Sequence, residues 1–167
     1  MSRLTALPLS LALLASQAQL AYPAEVSEVD SSGLVIIESA YDVPTTADRL
    51  EAAAAAKGLT IFARIDHAAG ATAAGMTLPP MELIIFGTAK VGTPLMQCDP
   101  TVGIDLPLKA LIWRDENARV MLGYNSSASL AARHELGDCR PVLAKIDTAL
   151  AALATEVTGT SEEASQK

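Results

Sequence analysis

The feature that most constrains the fold is a succession of apolar, β-prone runs with little between them. They span 59–65, 81–86, 107–114 and 119–124, and they follow an alanine-rich helical segment. Strands that follow one another without a long crossover helix pair antiparallel. The last two runs are separated by only four polar residues, 115–118, which predicts a hairpin. The sequence therefore predicts a mostly antiparallel sheet.

The segment before these runs predicts one more strand and a helix. Residues 33–39 are short and rich in β-branched side chains, as in a strand. Thr45 followed three residues later by Asp48 resembles a helix start, in which both side chains satisfy free amides. Residues 49–57 are alanine-dense and strongly helical, and Gly58 is well placed to end the helix.

The C-terminal part predicts a longer helix over 141–157 and a shorter one from Ser126 or Ser127 to about His134. The longer helix carries one apolar stripe, formed by Val142, Ile146, Leu150, Leu153 and Val157. Residues 68–77 predict a short helix or a loose connection, and 87–94 a loop. The element order predicts an α+β fold, a two-layer β-α-β(4)-α domain with the helices on one sheet face. The other face then needs a cover; a partner subunit or a ligand would serve, and a homodimer is the commonest solution.

The N-terminus has the layout of a secretory signal. Arg3 precedes an apolar run over 4–15, and Ala18 lies at a suitable cleavage position. The run is too short to span a bilayer, and Pro8 interrupts it, which disfavours an uncleaved anchor. The predicted organisation is a signal peptide over 1–18, an exposed leader over 19–32, a single domain over 33–158 and a disordered tail over 159–167. The expected location is periplasmic or secreted.

The overall charge limits the partners. The formal net charge is −7 and the isoelectric point about 4.7. An acidic surface repels nucleic-acid phosphates and anionic lipid headgroups. We therefore expect no nucleic-acid partner, and no membrane association once the signal is cleaved.

Cys98 and Cys139 are the two cysteines of the chain. An oxidising compartment permits a disulfide between them, and two separate thiols are the alternative. The chain has no C-x-x-C motif of the kind used by thiol redox enzymes.

Asp66 and His67 form the first candidate binding site. They follow an apolar strand, and a histidine there could act as a base or a metal ligand. Neighbouring residues on a strand point to opposite faces, so Asp66 orients His67 only if the backbone turns. The competing interpretation is a capping aspartate beside a structural histidine.

The segment from Gly87 through Lys90 and Gly92 to Thr93 is the second candidate site. It resembles a phosphate loop, but the Walker pattern needs a lysine directly after the second glycine, and Thr93 stands there. Its backbone amides and Lys90, with Lys109 nearby in the next strand, could still hold a small anion. The competing interpretation is a glycine-permitted connection.

The sequence predicts no metal site and no cofactor. The imidazole and thiol donors are His67, His134, Cys98 and Cys139, and their spacing matches no known ligand motif. His134 lies in an Ala-Arg-His-Glu run typical of a solvated helix end. The chain also lacks the G-x-S-x-G motif of serine hydrolases.

Four segments together resemble a known family: FARIDHAAGA, LPPMELIIFGTAKVGTPLM, DLPLKALIW and YN. They are similar to the bacterial and archaeal family called domain of unknown function 302, from Gly33 to the end of the last helix. The resemblance implies a β-α-β(4)-α fold and no established activity. The chain departs from the family at Thr88-Ala89, where Asn-Pro is frequent, and at Asn117-Ala118, where a glycine is frequent in the hairpin.

Three functions agree with these patterns. The first is an exported homodimeric module that binds a small molecule or anion near His67, Gly87–Thr93 and Lys109. The second is a thiol- or metal-dependent periplasmic redox enzyme that uses His67, Cys98 and Cys139. The third is a purely structural or partner-binding domain.

Overall fold

The computed structural model describes residues 28–29 and 32–159. The predicted signal peptide, most of the predicted leader and residues 160–167 of the predicted tail lie outside this part of the chain. Within it, no helix is long and apolar enough to cross a membrane.

One six-stranded antiparallel sheet forms the framework, in the order β1-β2-β6-β5-β4-β3. The strands are β1 Glu28–Val29, β2 Leu34–Ser39, β3 Thr60–Asp66, β4 Met81–Gly87, β5 Leu108–Arg114 and β6 Val120–Asn125. All neighbouring strands pair antiparallel. This agrees with the prediction from consecutive strands. The hairpin between β5 and β6 turns within residues 115–119, as the polar residues 115–118 predicted.

The helices are α1 Val43–Ala56, α2 His67–Ala73, α3 Ala89–Cys98, α4 Ser127–Arg133 and α5 Arg140–Thr158. The two long ones, α1 and α5, pack against each other and against the sheet. Arg64 of β3 fixes α1 to the sheet, because its guanidinium pairs with Glu82 of β4 and with Asp48 of α1 at 2.5 Å. The predicted α+β architecture is confirmed.

The strand register separates a covered sheet face from an open one. On the covered face Ile84, Ala110 and Tyr124 lie side by side on β4, β5 and β6, and all three are buried. On the other face Leu83 lies beside Leu111, which lies beside Gly123. Neither leucine is fully buried, and neither long helix packs on this open face.

Trp113 lies on the open face. It neighbours Met81 and Met121, and its indole covers Gly123 so closely that an added Cβ would lie 3.0 Å from the ring. A glycine is needed at 123 because the indole occupies the space of a side chain.

Two local predictions were wrong. Residues 89–94, predicted as part of a loop over 87–94, belong to helix α3, because Thr88 supplies an N-cap, although the helix contains Pro94. Helix α1 begins at Val43 because Asp42, and not Thr45, accepts the capping hydrogen bond. Within the predicted leader, Glu28–Val29 pairs with β2 as an edge strand.

Candidate functional site

Asp66 and His67 lie at one end of the β3–β4 pair. Asp66 Oδ1 accepts a 2.8 Å hydrogen bond from Ala69 N–H and so caps α2, which begins at His67. Asp66 pairs with Glu82, whereas Gly87 pairs with Thr60 at the other end. Six residues of strand separate the two ends by roughly 20 Å. The structure therefore does not bring His67 together with Gly87.

Lys109 is engaged within the fold. Its ammonium donates hydrogen bonds to the carbonyl oxygens of Asp105 at 2.9 Å and Pro107 at 2.8 Å. Thr93 is exposed on α3. The other three predicted residues of this region, Gly87, Lys90 and Gly92, line a common cavity.

The cavity has a volume of about 830 Å³ and lies between α5, α3 and the Gly87 end of the β3–β4 pair. Segments distant in sequence form its walls: the region between α1 and β3, helix α3 as far as Met96, residues 103–108, and α5 from Val142 to Leu153. Its surface is mostly apolar, with Phe86, Val91, Leu106, Leu108, Val142 and Ile146 among the lining residues.

Lys57, Lys90 and Lys145 line the same cavity, and no lining residue carries a carboxylate. Lys57 Nζ pairs with Glu156 at 2.6 Å, and both side chains are about half exposed. Lys90 and Lys145 are exposed, and among the described residues no carboxylate lies within ion-pair distance of either. An apolar cavity whose edge carries two lysines without a carboxylate partner, Lys90 and Lys145, favours an amphipathic anion.

We call residues 99–107 the strap. Three of its residues, Gly103, Leu106 and Pro107, line the cavity. His134 holds the strap: its Nε2 lies 2.6 Å from Asp105 Oδ2 and its Nδ1 lies 2.9 Å from Thr101 Oγ1. The imidazole is only 6% exposed. The predicted solvated helix end is thus a buried clamp.

Asp99 completes the clamp. Its carboxylate accepts hydrogen bonds from the Thr101 hydroxyl and backbone N–H, both at 2.8 Å, and from Glu135 N–H at 3.0 Å. The Thr101 hydroxyl, then the backbone amides of Thr101 and Glu135, hold the pKa of Asp99 below its usual value.

A disulfide between Cys98 and Cys139 joins the two helical walls of the cavity. Cys98 ends α3, and Cys139 directly precedes α5. The Cα atoms are 6.5 Å apart, within the usual range for a disulfide. Together with the clamp, this bond fixes the geometry of α3, the strap and α5.

The described residues contain no group of three His, Cys, Asp or Glu side chains placed to hold a metal ion. Nor do they contain a free cysteine.

Lys57, Lys145 and the apolar residues of α5 were missed as site residues in the sequence. The apolar stripe of α5 contributes to this site, since Val142 and Ile146 line the cavity. A local motif search could not find these residues, since the walls converge only in the folded chain. No local signal in the sequence marks Lys57, Lys90 and Lys145 as members of one group.

Among curated proteins, the chain is similar to two proteins named Fluoride-specific ion channel FluC 1, from Brucella suis and Brucella abortus, at 50% identity over 116 residues. The match covers 70% of this chain but only 45% and 43% of those proteins. The chain thus spans less than half the length of the curated relatives it matches.

A crystal structure of an uncharacterized conserved protein from Bacillus stearothermophilus has the same fold. The TM-score is 0.69 at 17% identity, over 75% of this chain and 98% of that one. Residues 35–153 match the family described as Domain of unknown function DUF302, to which that protein is also assigned. The match covers most of the domain, as the four sequence segments predicted, and the chain belongs to the DUF302 family.

Proposed function

We propose that the protein is a binding module for a small amphipathic anion. The apolar body of the ligand occupies the cavity between α3 and α5, and its acidic group lies near Lys90 and Lys145. One observation carries the proposal: the apolar cavity of an acidic protein has three lysines and no carboxylate among its lining residues.

The size and chemistry of the cavity support this class of ligand. Small-molecule sites usually have volumes of roughly 300–1,000 Å³ and are mostly apolar with a few polar groups. Burial of each methylene contributes about 0.8 kcal/mol, so a medium alkyl chain supplies most of the affinity. The two exposed lysines then select for an acidic end group.

Calorimetric titration with dodecanoate tests the cavity, and two glycines provide a matched pair of variants. A Cβ on Gly92 would lie 3.6 Å from the Leu106 side chain, inside the cavity wall, whereas a Cβ on Gly70 in α2 meets nothing within 4 Å. Gly92→Leu should weaken binding about tenfold or more, because the new side chain occupies ligand space. Gly70→Leu should leave the affinity unchanged. Equal affinities of the two variants would contradict the proposal.

Selection for the acidic group is tested separately. The double variant Lys90→Met with Lys145→Met should weaken dodecanoate binding about fivefold or more and leave dodecanol binding nearly unchanged. Arg140→Met, on an exposed arginine that does not line the cavity, is the control. Equal losses for the acid and the alcohol would show that the lysines do not recognise charge.

We also propose that the protein forms a homodimer through the open sheet face. Leu83, Leu111, Trp113 and Met121 give this face an apolar centre, and the charged residues Glu38 and Lys109 lie at its margin. Apolar sheet faces of this kind are usually covered in stable proteins. Leu111→Glu should convert a dimer into a monomer in native mass spectrometry, whereas Ala151→Glu, on exposed helix surface, should not. A monomeric wild type would exclude the dimer.

We propose that the protein is exported to the periplasm or secreted. Export is supported by the signal-like pattern of residues 1–18 and by the disulfide, which persists mainly in oxidising compartments. Mass spectrometry of the protein from its native host should give a chain that begins at Gln19. A cytoplasmic chain that retains Met1 or Ser2 would contradict this location.

A second candidate function is suggested by the named relatives. A region 50% identical to this chain occupies less than half of proteins named fluoride-specific ion channels, so a domain of this kind shares one polypeptide with further sequence there. The present chain would then act beside a fluoride channel as an accessory domain. Deletion of the protein should raise the sensitivity of its host to sodium fluoride. Growth equal to that of the parent across a fluoride series would exclude this role.

A further inference from the structure

Exposed apolar side chains surround the cavity entrance. Phe62 and Met96 line the cavity although they are 57% and 40% exposed. Ile104 directly follows the lining residue Gly103 and is 78% exposed. Large apolar side chains that stay exposed around one opening indicate a surface that meets another apolar phase.

Three lysines, Lys57, Lys90 and Lys145, also line the cavity, and Lys90 and Lys145 are exposed. Together with Phe62, Met96 and Ile104, the three lysines form what we call the rim. Apolar side chains mixed with lysines are typical of protein surfaces that lie on membranes, since the apolar groups enter the acyl boundary and the cations meet lipid phosphates.

We propose that the rim docks on an anionic lipid bilayer, so that the cavity opens toward the membrane. An amphipathic ligand with an acidic end group could then pass between the bilayer and the cavity without crossing water. The membrane-facing orientation rests on the proposed ligand-binding function, whereas the docking itself depends only on the rim.

Charge favours a bilayer over a second copy of the chain as the occupant of the rim. A symmetric contact between two rims would bring two sets of lysines together, and these sets repel each other. An anionic bilayer instead complements them. The net charge of −7 predicted no membrane association, but it describes the whole chain, and docking depends on the charge within about a Debye length of the contact.

Cosedimentation of the purified protein with vesicles tests the docking, with the chain that begins at Gln19 after the proposed signal cleavage, so that the apolar run over 4–15 does not contribute. The vesicles contain phosphatidylcholine with 30% phosphatidylglycerol or phosphatidylcholine alone. Wild type should bind the anionic vesicles more tightly, and about 0.5 M salt should weaken that binding because the lysines are screened.

Ile104→Asp should weaken binding to the anionic vesicles about tenfold, and Lys90→Met about fivefold. Met76→Asp is the matched control, because Met76 is 63% exposed and does not line the cavity. Equal effects of Ile104→Asp and Met76→Asp, or no effect of either, would overturn the proposal. So would equal binding of wild type to both vesicle types.

Two variants separate this proposal from the ligand-binding function. Gly92→Leu should retain vesicle binding while it loses dodecanoate affinity. Ile104→Asp should retain dodecanoate affinity in solution while it loses vesicle binding. If Gly92→Leu does not weaken dodecanoate binding, the proposed ligand site is wrong. The vesicle data then decide separately whether the rim docks on a membrane. If only the vesicle data fail, the rim is wrong and the ligand site stands.

Discussion

The two ends of the β3–β4 pair differ in how their residues come together. At one end Asp66 and His67 are adjacent in sequence, and the carboxylate caps the short helix α2, which buries none of its residues. At the other end Gly87 lines one cavity together with residues from the region between α1 and β3, from α3, from the strap and from α5. The Cys98–Cys139 disulfide and the His134 clamp fix these walls.

This difference shows why a polar pair at a strand end is a weak guide to function. Asp66 satisfies a local amide, which is the ordinary role of an aspartate before a helix. The Gly87 end gains its capacity for a ligand from long-range packing. Substitutions at the Gly87 end should therefore lower the free energy of unfolding more than substitutions at the His67 end.

Removal of the disulfide should have the largest effect. Cys98→Ser with Cys139→Ser opens a loop of 41 residues and should lower the free energy of unfolding by roughly 4 kcal/mol, according to the loop-entropy relation. Urea denaturation measures the change. Dodecanoate affinity should fall as well, because α3 and α5 lose their covalent link.

A reductant supplies the control for this experiment. It should destabilise wild type and leave the double variant unchanged. Equal stability of oxidised and reduced wild type would show that the bond does not hold the Gly87 end together.

The two histidines give the second prediction. His134→Ala removes the buried imidazole that contacts Asp105 and Thr101. It should lower the free energy of unfolding, measured by urea denaturation, by about 2 kcal/mol. His67→Ala removes a partly exposed side chain and should change stability by less than about 0.5 kcal/mol. Similar losses for the two variants would remove the distinction between the ends.

Loss of the Asp66 cap should have a smaller and more local effect. Asp66→Ala removes the hydrogen bond to Ala69 N–H, and N-cap losses cost about 1 kcal/mol of helix stability. Because α2 buries no residue, the loss should appear as faster amide exchange within 67–73. Faster amide exchange across α3 or α5 in the same variant would indicate that the two ends are coupled.

The smallest expected effect is a pH dependence from Asp99. Its lowered pKa stabilises the folded chain above the unfolded value of about 3.9, and this contribution disappears as the pH falls through the folded value. The urea midpoint of Asp99→Asn should therefore fall less steeply than that of wild type below about pH 4. Parallel curves would show that Asp99 does not contribute through its charge.

The element order was predictable because strand and helix patterns are local properties of the sequence. The α5 stripe and the β5–β6 hairpin lie where periodicity and turn chemistry placed them. Helix α3 was not predictable from Pro94 and two glycines, since its start depends on Thr88 and its packing on α5. The local pattern around His134 suggested an exposed helix end. Its burial depends on Thr101 and Asp105, which lie about 30 residues earlier in the chain.

The most direct test of the account is a titration of ¹⁵N-labelled protein with dodecanoate, followed by amide chemical shifts. We expect saturable changes at Gly87, Gly92 and Gly103, with no change at His67 or Gly70. That result would place the ligand in the cavity between α3 and α5. Saturable changes confined to His67 and Gly70, or no saturable change at all, would contradict the account.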